Sequence, residues 1–507
     1  FTETVADAFK ISEDEFKQSR SYVFNATTEA PDSEDILIID NNSSSLSSLQ
    51  KHILSENLDE RIVVFHVKST NTYFFKYSGK DELYLNGQAV LPGRVNTLDK
   101  GSSIRSSRIS PVYYSDIAGK FLSSLVSEKV VLSAEGVVFH FKNSTNGIQN
   151  FNFSEESGVL VGIMGGSGVG KSTLLNVLNG SLKPQKGQIR INGYDIYGNK
   201  SEVKGMIGFI PQDDLLIEEL TVYQNLYYCA KLCFDNLSEQ KISEAVDRVL
   251  KDLDLYTIKD LTVGSPLNKF ISGGQRKRLN IALELIREPY VLFVDEPTSG
   301  LSSMDSEIVM DLLKEQTLKG KLVIVNIHQP SSDIYKMFDK LIFMDKGGYP
   351  IYYGNPSDAV IYFKTITGAI NADESHCVKC GNVNPEQVLQ IIESKVVDEY
   401  GKLTRERKVS AKEWHSLFEK KIIPALKKKE PSNKLPQSDF KIPGLIKQLK
   451  IFTIRDVLSK ITNKQYLLIS LLEAPLLAGI LAYVTRYISP EKLSSGYSFG
   501  ANDNLMA

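Results

Sequence analysis

Four cysteines in 507 residues are too few for a disulfide framework, so a reducing compartment is expected. An excess of one charge is also lacking: 59 Lys and Arg stand against 61 Asp and Glu, a net of -2. Proteins that coat nucleic acid carry a basic excess, and the whole chain has none, so no nucleic-acid partner is expected. Long hydrophobic runs are scarce as well. A single stretch near the C-terminus qualifies, which excludes a multi-span membrane protein for the sequence as given. What is there is ordinary globular composition, 42% hydrophobic, 24% charged and 9% aromatic. At roughly 100–200 residues per domain this makes about three units. The first residue is Phe1 and not Met, so the sequence is expected to be a piece of a longer protein.

Charge is sorted along the chain. Residues 1–60 hold 13 Asp/Glu and 4 Lys/Arg, whereas residues 401–465 hold 17 Lys/Arg and 6 Asp/Glu. Residues 1–55 read as a helical tail and linker. Val5, Phe9, Ile11 and Phe16 follow a helical pattern, and Asn41-Asn42-Ser43-Ser44-Ser45 has loop composition. This part resembles the last helices of a tellurite-resistance-type helical domain. The Glu13-Asp14-Glu15 cluster lacks the spaced ligands and glycine of a calcium loop. Residues 56–125 switch to strand character, with Ile62 to Val67, Tyr73-Phe74-Phe75 and Glu82 to Leu85 as runs, and Asn86-Gly87 as a type I′ hairpin signal. A small antiparallel β-domain is expected. The stretch Leu83 to Arg105 resembles the second half of a forkhead-associated domain. That family binds phosphothreonine through an upstream Arg and Ser whose loops have no counterpart here, so a docking role is expected.

Residues 130–370 alternate strand and helix patterns, which predicts an α/β fold with a parallel sheet and crossover helices. Residues 371–440 read as a basic helical extension. Over 441–464, Leu445, Ile446, Leu449, Phe452, Leu458 and Ile461 recur at helical spacing among lysines. That is an amphipathic basic helix of the type that lies on a membrane, so lipid is an expected partner. Tyr466 to Val484 is apolar apart from Glu473 and carries Pro475. At 1.5 Å per residue it just crosses a hydrocarbon core of about 30 Å, so 465–488 is expected to span and 489–507 to form a loop. The basic flank puts its N-terminal side in the cytoplasm. Glu473 is costly in lipid and should face another helix or a polar cavity.

The chemistry is concentrated in the α/β region. Leu160 to Met164 reads as a buried strand and runs into Gly165-Gly166-Ser167-Gly168-Val169-Gly170-Lys171-Ser172-Thr173, followed by a helix. This is a phosphate-binding P-loop in its strand–loop–helix setting. Glycines let consecutive backbone N–H groups wrap a polyphosphate, and the helix N-terminus adds its positive end. Lys171 supplies a point charge and Ser172 a hydroxyl for Mg²⁺. Tyr290 to Val294 is a second buried strand, and Asp295-Glu296 emerge at its C-terminal edge, where open parallel sheets bind ligands. Asp295 can hold Mg²⁺, and Glu296 can orient and deprotonate a water.

Between these two elements lies Ser272-Gly273-Gly274-Gln275 before a helix. By itself it is a helix cap and turn. In the order P-loop, Ser-Gly-Gly-Gln, acidic strand end, residues 130–370 resemble an ATP-binding-cassette (ABC) ATPase. The resemblance implies further roles. Gln212, in Pro211-Gln212-Asp213, matches the Q-loop; His328, in Ile327-His328-Gln329-Pro330, matches the switch histidine; Phe141 matches the aromatic that stacks on adenine. Arg276-Lys277-Arg278, Asp295 to Leu301 and Tyr352-Tyr353-Gly354-Asn355-Pro356 resemble the G-type (White/pigment-exporter-like) subfamily. That subfamily places the ATPase before the membrane domain. The resemblance implies ATP and Mg²⁺ as cofactors, with Ser172, Gln212 and Asp295 at the metal. It also implies a second cassette as partner, in a homodimer or heterodimer, with Ser272 to Gln275 acting on the other chain's ATP. Glu296, His328 and Gln212 are the implied catalytic group. The cassette would then face the cytoplasm from a plasma or bacterial inner membrane, driving a half-transporter, most simply an exporter. One position departs from the family: Ser302 stands where the D-loop usually carries Asp.

His376, Cys377 and Cys380 make half a zinc site, and Cys229 and Cys233 are four apart in a helix. Incidental free thiols are the expected reading. The alternative function is a soluble or membrane-tethered regulatory cassette ATPase that does not itself transport. Cassettes that resemble those of DNA repair carry a long coiled coil between P-loop and acidic strand. The 124 residues from Lys171 to Asp295 leave no room for one.

Overall fold

A computed structural model of the chain describes residues 12–484, apart from 25–30, 43–48, 59, 71, 86–87, 100–101, 107, 110–111, 123–128, 145, 266–267, 369–382, 398–399, 401, 427–428 and 432–433. The Asn86-Gly87 turn, the His376, Cys377 and Cys380 group, Val5, Phe9, Ile11 and the 489–507 loop lie outside the described residues. The chain forms two units, Phe1–Asp214 with Gly273–Phe440, and Leu215–Ser272 with Lys441–Ala507.

The first unit opens with helix α1 (Glu13–Phe24) and the strands β1 (Ile36–Asp40), β2 (Lys51–Leu54), β3 (Ile62–Val67), β4 (Thr72–Tyr77), β5 (Tyr84–Leu85), β6 (Gln88–Ala89), β7 (Asn96–Leu98), β8 (Ser103–Arg105) and β9 (Val112–Tyr113), then helix α2 (Tyr114–Leu122). One sheet has the order β2-β1-β3-β4-β7 and the other β6-β5-β8-β9. This corrects the expected helical tail and linker over residues 1–55, because β1 and β2 are strands of the β-domain sheet. It also corrects the purely antiparallel expectation, since β1 pairs parallel with β2 and antiparallel with β3. All five residues of β1 are buried. Leu37 and Ile39 join one core with Phe75 and Ile104, and Ile36 and Ile38 join another with Tyr22 and Phe65. A strand covered on both faces shows no alternation, and Asn- and Ser-rich neighbours hid it.

The cassette follows as β10 (Val131–His140), β11 (Gly147–Glu156), β12 (Leu160–Met164), α3 (Lys171–Leu178), β13 (Lys186–Ile191), β14 (Tyr194–Asp195) and β15 (Ile207–Ile210). In the second unit come α4 (Val222–Cys233) and α5 (Glu239–Asp252). The first unit resumes with α6 (Gly273–Leu285), β16 (Val291–Asp295), α7 (Ser303–Leu318), β17 (Leu322–Asn326), α8 (Ser332–Met337), β18 (Lys340–Asp345), β19 (Tyr349–Gly354) and α9 (Pro356–Ile366). The main sheet has the order β15-β16-β17-β12-β18-β19. Strands β15, β16, β17, β12 and β18 are parallel as expected, whereas β19 is antiparallel to β18. A second, antiparallel sheet β11-β10-β13-β14 accompanies the expected parallel one. The central strands β12, β16 and β17 are buried at every residue, as strands sandwiched between layers must be.

Residues 371–440, expected as a helical extension, contain α10 (Pro385–Ile392), the hairpin strands β20 (Lys395–Val397) and β21 (Leu403–Arg407), and α11 (Ala411–Lys421). Described residues among them pack onto the α/β core. Trp414 and Phe418, spaced i,i+4 on α11, are buried; Trp414 meets Phe363 edge-on at 5.2 Å and Phe418 joins the cassette core. In the second unit, α12 (Leu445–Thr462) and α13 (Lys464–Val484) take the place of the expected 441–464 and 465–488 helices. Lys447 pairs with Asp235 at 2.8 Å, and Ser459 and Asn463 donate to Glu219 at 2.9 and 3.1 Å. These contacts join α12 to the α4 region. Leu445, Ile446, Leu449, Phe452 and Ile461 on α12 are exposed. Helix α13 is long and apolar enough to cross a membrane, and none of its hydrophobic window is buried.

Candidate functional site

The strand β12 delivers the chain to the P-loop. Gly165 (φ 150°) and Gly170 (φ 105°) take left-handed conformations that L side chains rarely adopt. At Gly165 a Cβ would come within 2.3 Å of the Met344 carbonyl oxygen. Gly170 then caps α3, whose first residues are Lys171, Ser172 and Thr173. Lys171 is buried and its Nζ donates to the carbonyls of Gly165 and Gly166 at 3.1 and 3.0 Å. Burial holds its ammonium below the usual lysine range, and the nearby Glu296 and Asp295 carboxylates work against that shift.

Parallel register brings the remaining groups to the same edge. Ile163 pairs with Asn326, Asn326 with Asp295, and Ile210, just before Pro211-Gln212, with Val294. Ser172 Oγ donates to Asp295 Oδ1 at 3.3 Å. Asn326 Nδ2 donates to that same Oδ1 at 2.5 Å and to Ser172 Oγ at 3.1 Å. Asn326 Oδ1 is buried with no partner among the described residues. A hydroxyl, a buried carboxylate and an unpaired amide oxygen form a hard, oxygen-rich donor set, which fits Mg²⁺ rather than a softer metal. Gln212 is exposed at the end of this edge, with its own carbonyl accepting from Lys277 Nζ at 2.8 Å.

Glu296 turns out of the edge with φ 43°, and its N–H donates to the Asn326 carbonyl at 3.0 Å. A left-handed Glu is an uncommon and strained conformation for a non-glycine residue. Gln329 shares that strain at φ 46°. Glu296, His328, Gln329 and Ser299 line a cavity of 540 Å³, together with Glu386 of α10. The expected acid and switch histidine therefore face the same space.

The glycines of Ser272-Gly273-Gly274-Gln275 open α6, with Ser272 and Gly273 exposed. Gly274 is buried because α7 approaches: a Cβ there would come within 2.4 Å of Asp305 Oδ1. Ser302 caps α7, its Oγ accepting from the Asp305 N–H at 3.1 Å and donating to Oδ2 at 2.8 Å. Capping accounts for a serine at this position. Phe141 follows β10, is 47% exposed and packs edge-on against Phe139 at 5.1 Å, leaving a face available for stacking. Cys229 and Cys233 are half-buried and are not joined in a disulfide.

Two residues at this site were not anticipated from sequence. Asn326 ends an all-apolar strand as Asp295 does, and a polar residue in that position is the signal that could have found it. Glu386 lies 90 residues beyond Glu296, and only folding places it at the cavity.

Residues 148–299 match the family described as ABC transporter, and residues 328–375 match an ABC-2 type transporter family. The chain is 36% identical over 274 residues to ABC transporter G family member 14 of Arabidopsis thaliana, covering 53% of this chain and 40% of that protein. It is 37% identical over 204 residues to the ABC-type transporter claG of Penicillium crustosum, covering 40% of this chain and 27% of that one. A solved structure, cbiO1 from Clostridium perfringens, part of the ABC transporter complex cbiONQ, is 31% identical. It has a TM-score of 0.41 and covers 47% of this chain and 96% of its own. The matches thus span less than half of the length of the two curated relatives. The P-loop, the Ser-Gly-Gly-Gln helix and the acidic strand end stand in family order on an α/β core, and over residues 148–299 the chain carries an ABC transporter ATPase region similar to that of a G-family relative.

Proposed function

We propose that this chain is the ATP-binding and ATP-hydrolysing part of a membrane transporter, working as an exporter. The observation that carries the reading is the cluster of Ser172, Asp295 and Asn326 at the strand edge beside Lys171. The P-loop N–H groups and Lys171 bind the phosphates, and Phe141 stacks on the base. Ser172 and Asp295, with Gln212, would hold Mg²⁺, which would supply charge neutralisation at the phosphates. Glu296 accepts a proton from the attacking water, and His328 orients the reacting groups across the 540 Å³ cavity.

Exposure of Ser272 and Gly273 supports a role in trans, completing the site of a second cassette in a homodimer or heterodimer. Paired cassettes that close on ATP and open after hydrolysis are a two-state device, biased by contacts made only with nucleotide bound. Helix α13 supports membrane anchoring, with the cassette on the cytoplasmic side.

The test has two parts. The protein should resist alkaline extraction from membranes. In lipid nanodiscs it should release phosphate from Mg·ATP, and Glu296→Gln should lower release by at least about 10²-fold. A protein extracted into the soluble fraction would overturn the transporter reading, and absence of ATP-dependent phosphate release would overturn the enzymatic one.

A further inference from the structure

The β-domain is seated on the cassette at a particular place. Arg105, the last residue of β8, reaches two carboxylates on two different cassette helices. Its Nη1 donates to Asp333 Oδ2 at 2.5 Å, and its Nη2 lies 3.6 Å from Glu307 Oε2. Tyr113 Oη donates to the Asp333 backbone carbonyl at 2.9 Å. Beneath this clasp, α2 packs along α7: Ile117 and Ala118 are buried, and Gly119 lies so close to Leu318 that a Cβ would come within 2.5 Å of it. The contact is a fitted interface and not a tether.

Both carboxylates belong to helices that leave the hydrolytic loops. Asp333 is in the first turn of α8, which Ser331 caps and which follows His328, Gln329 and Pro330 directly. Glu307 is in the second turn of α7, which Ser302 caps at the end of the D-loop. Those two loops line the cavity that Glu296 shares. Glu307 and Asp333 carry like charges, and the Arg105 guanidinium that bridges them comes from the β-domain. Removing the guanidinium leaves two partly buried carboxylates facing each other, which favours separation of the helix starts.

We propose that Arg105 is a positioning residue for hydrolysis: it fastens the starts of α7 and α8 together and so sets the relative position of the D-loop and the His328 loop. The seat of the β-domain then controls turnover while leaving nucleotide affinity alone, because the P-loop and Phe141 are not part of the clasp. This rests on the reading that the cassette hydrolyses ATP.

The experiment uses the full chain in nanodiscs with Mg·ATP, and measures kcat, KM for ATP and the thermal midpoint. A misplaced catalytic loop can cost up to about 100-fold in rate, so Arg105→Ala should lower kcat by about 10- to 100-fold. KM for ATP should stay within about twofold, the pattern of an interaction made only in the transition state. Arg105→Lys should recover part of kcat, since one charge is restored without the fork. Tyr113→Phe removes one hydroxyl from the clasp with little risk to folding, and should lower kcat in the same direction. An unchanged kcat in Arg105→Ala and Tyr113→Phe overturns the proposal, as does a parallel change in kcat, KM and thermal midpoint that Lys does not relieve. If wild type hydrolyses no ATP, the reading beneath the proposal fails, and the proposal with it.

Discussion

Arg276 holds Asp214 through two hydrogen bonds, Nε to Oδ2 at 2.9 Å and Nη2 to Oδ1 at 3.1 Å. The first turn of α6 thereby fixes the strand-end segment that carries Gln212, two residues upstream. Lys277 adds a bond to the Gln212 carbonyl, and Asn280 one to the Pro211 carbonyl at 3.4 Å. Three residues on α6 thus hold one loop by its backbone and its terminal acid.

Arg276→Ala should cost about 2 kcal/mol, because it strands a partly buried carboxylate that had a charged partner. Urea denaturation checks the value. Arg276→Lys should recover less than half of it, since an ammonium cannot make the two-pronged contact. Full recovery by lysine would show that charge alone matters there.

Glu296→Gln should keep ATP binding while lowering phosphate release by about 10²- to 10⁴-fold, the contribution of a positioned general base. Fluorescent-nucleotide binding and phosphate release, measured on one preparation, separate the two. Undiminished hydrolysis would remove Glu296 from the role of base.

Asn326→Ala should raise the Mg²⁺ concentration needed for half-maximal hydrolysis by about 10-fold, as loss of a group orienting metal ligands does. Its amide holds both Ser172 and Asp295, so its loss frees both to rotate. A magnesium titration at saturating ATP reads the shift. An unchanged titration would mean that Ser172 and Asp295 are held by packing alone.

Trp414→Ala should destabilise the chain by about 3–5 kcal/mol, the cost of a large aromatic removed from a closed core. A linker helix would lose almost nothing. The denaturation midpoint distinguishes the two, and a negligible shift would detach 411–421 from the cassette.

Burial, with Asp333 adding to it, pushes the Glu307 carboxyl above its ordinary value, and Arg105 opposes the shift. The folded chain therefore holds this proton to a higher pH than the unfolded chain does. Stability should fall as pH rises from the ordinary carboxyl pKa of 4.5 through the raised one. Glu307→Gln should flatten that slope, and thermal midpoints across pH 4.5–7 test it. An equal slope in the variant would place the titrating group elsewhere.

Much of the site was legible because local rules select its residues. The P-loop needs glycine where φ is positive, and Gly165, Gly168 and Gly170 all take such values. Asp295 and Glu296 were legible because acids at the end of an apolar strand emerge at the ligand edge. Asn326 obeys the same rule on the neighbouring strand, but an asparagine carries less chemical signal than a pair of acids. Glu386 had no local signal. Its neighbours Pro385 and Val388 are buried while it is exposed at the cavity, a placement set by how α10 docks.

The β-domain shows the opposite case. Ile36 to Asp40 is buried on both faces, so its hydrophobicity has no period, and only pairing with β2 and β3 makes it a strand. Trp414 was likewise part of a basic stretch until α11 laid it against Phe363.

By itself the sequence determined the α/β core, the P-loop, the acidic strand end, the Ser-Gly-Gly-Gln helix and an apolar segment of membrane-crossing length. Each follows from short-range preferences: glycine dihedrals, strand and helix periods, and the length of an apolar run. The tertiary structure decided which distant side chains meet. It joined Ser172, Asp295 and Asn326, brought Glu386 to the cavity of His328, and set Arg105 against Asp333, 228 residues away. Those pairings depend on sheet register and helix docking, which are settled by burial summed over the whole unit, and no local pattern encodes that sum.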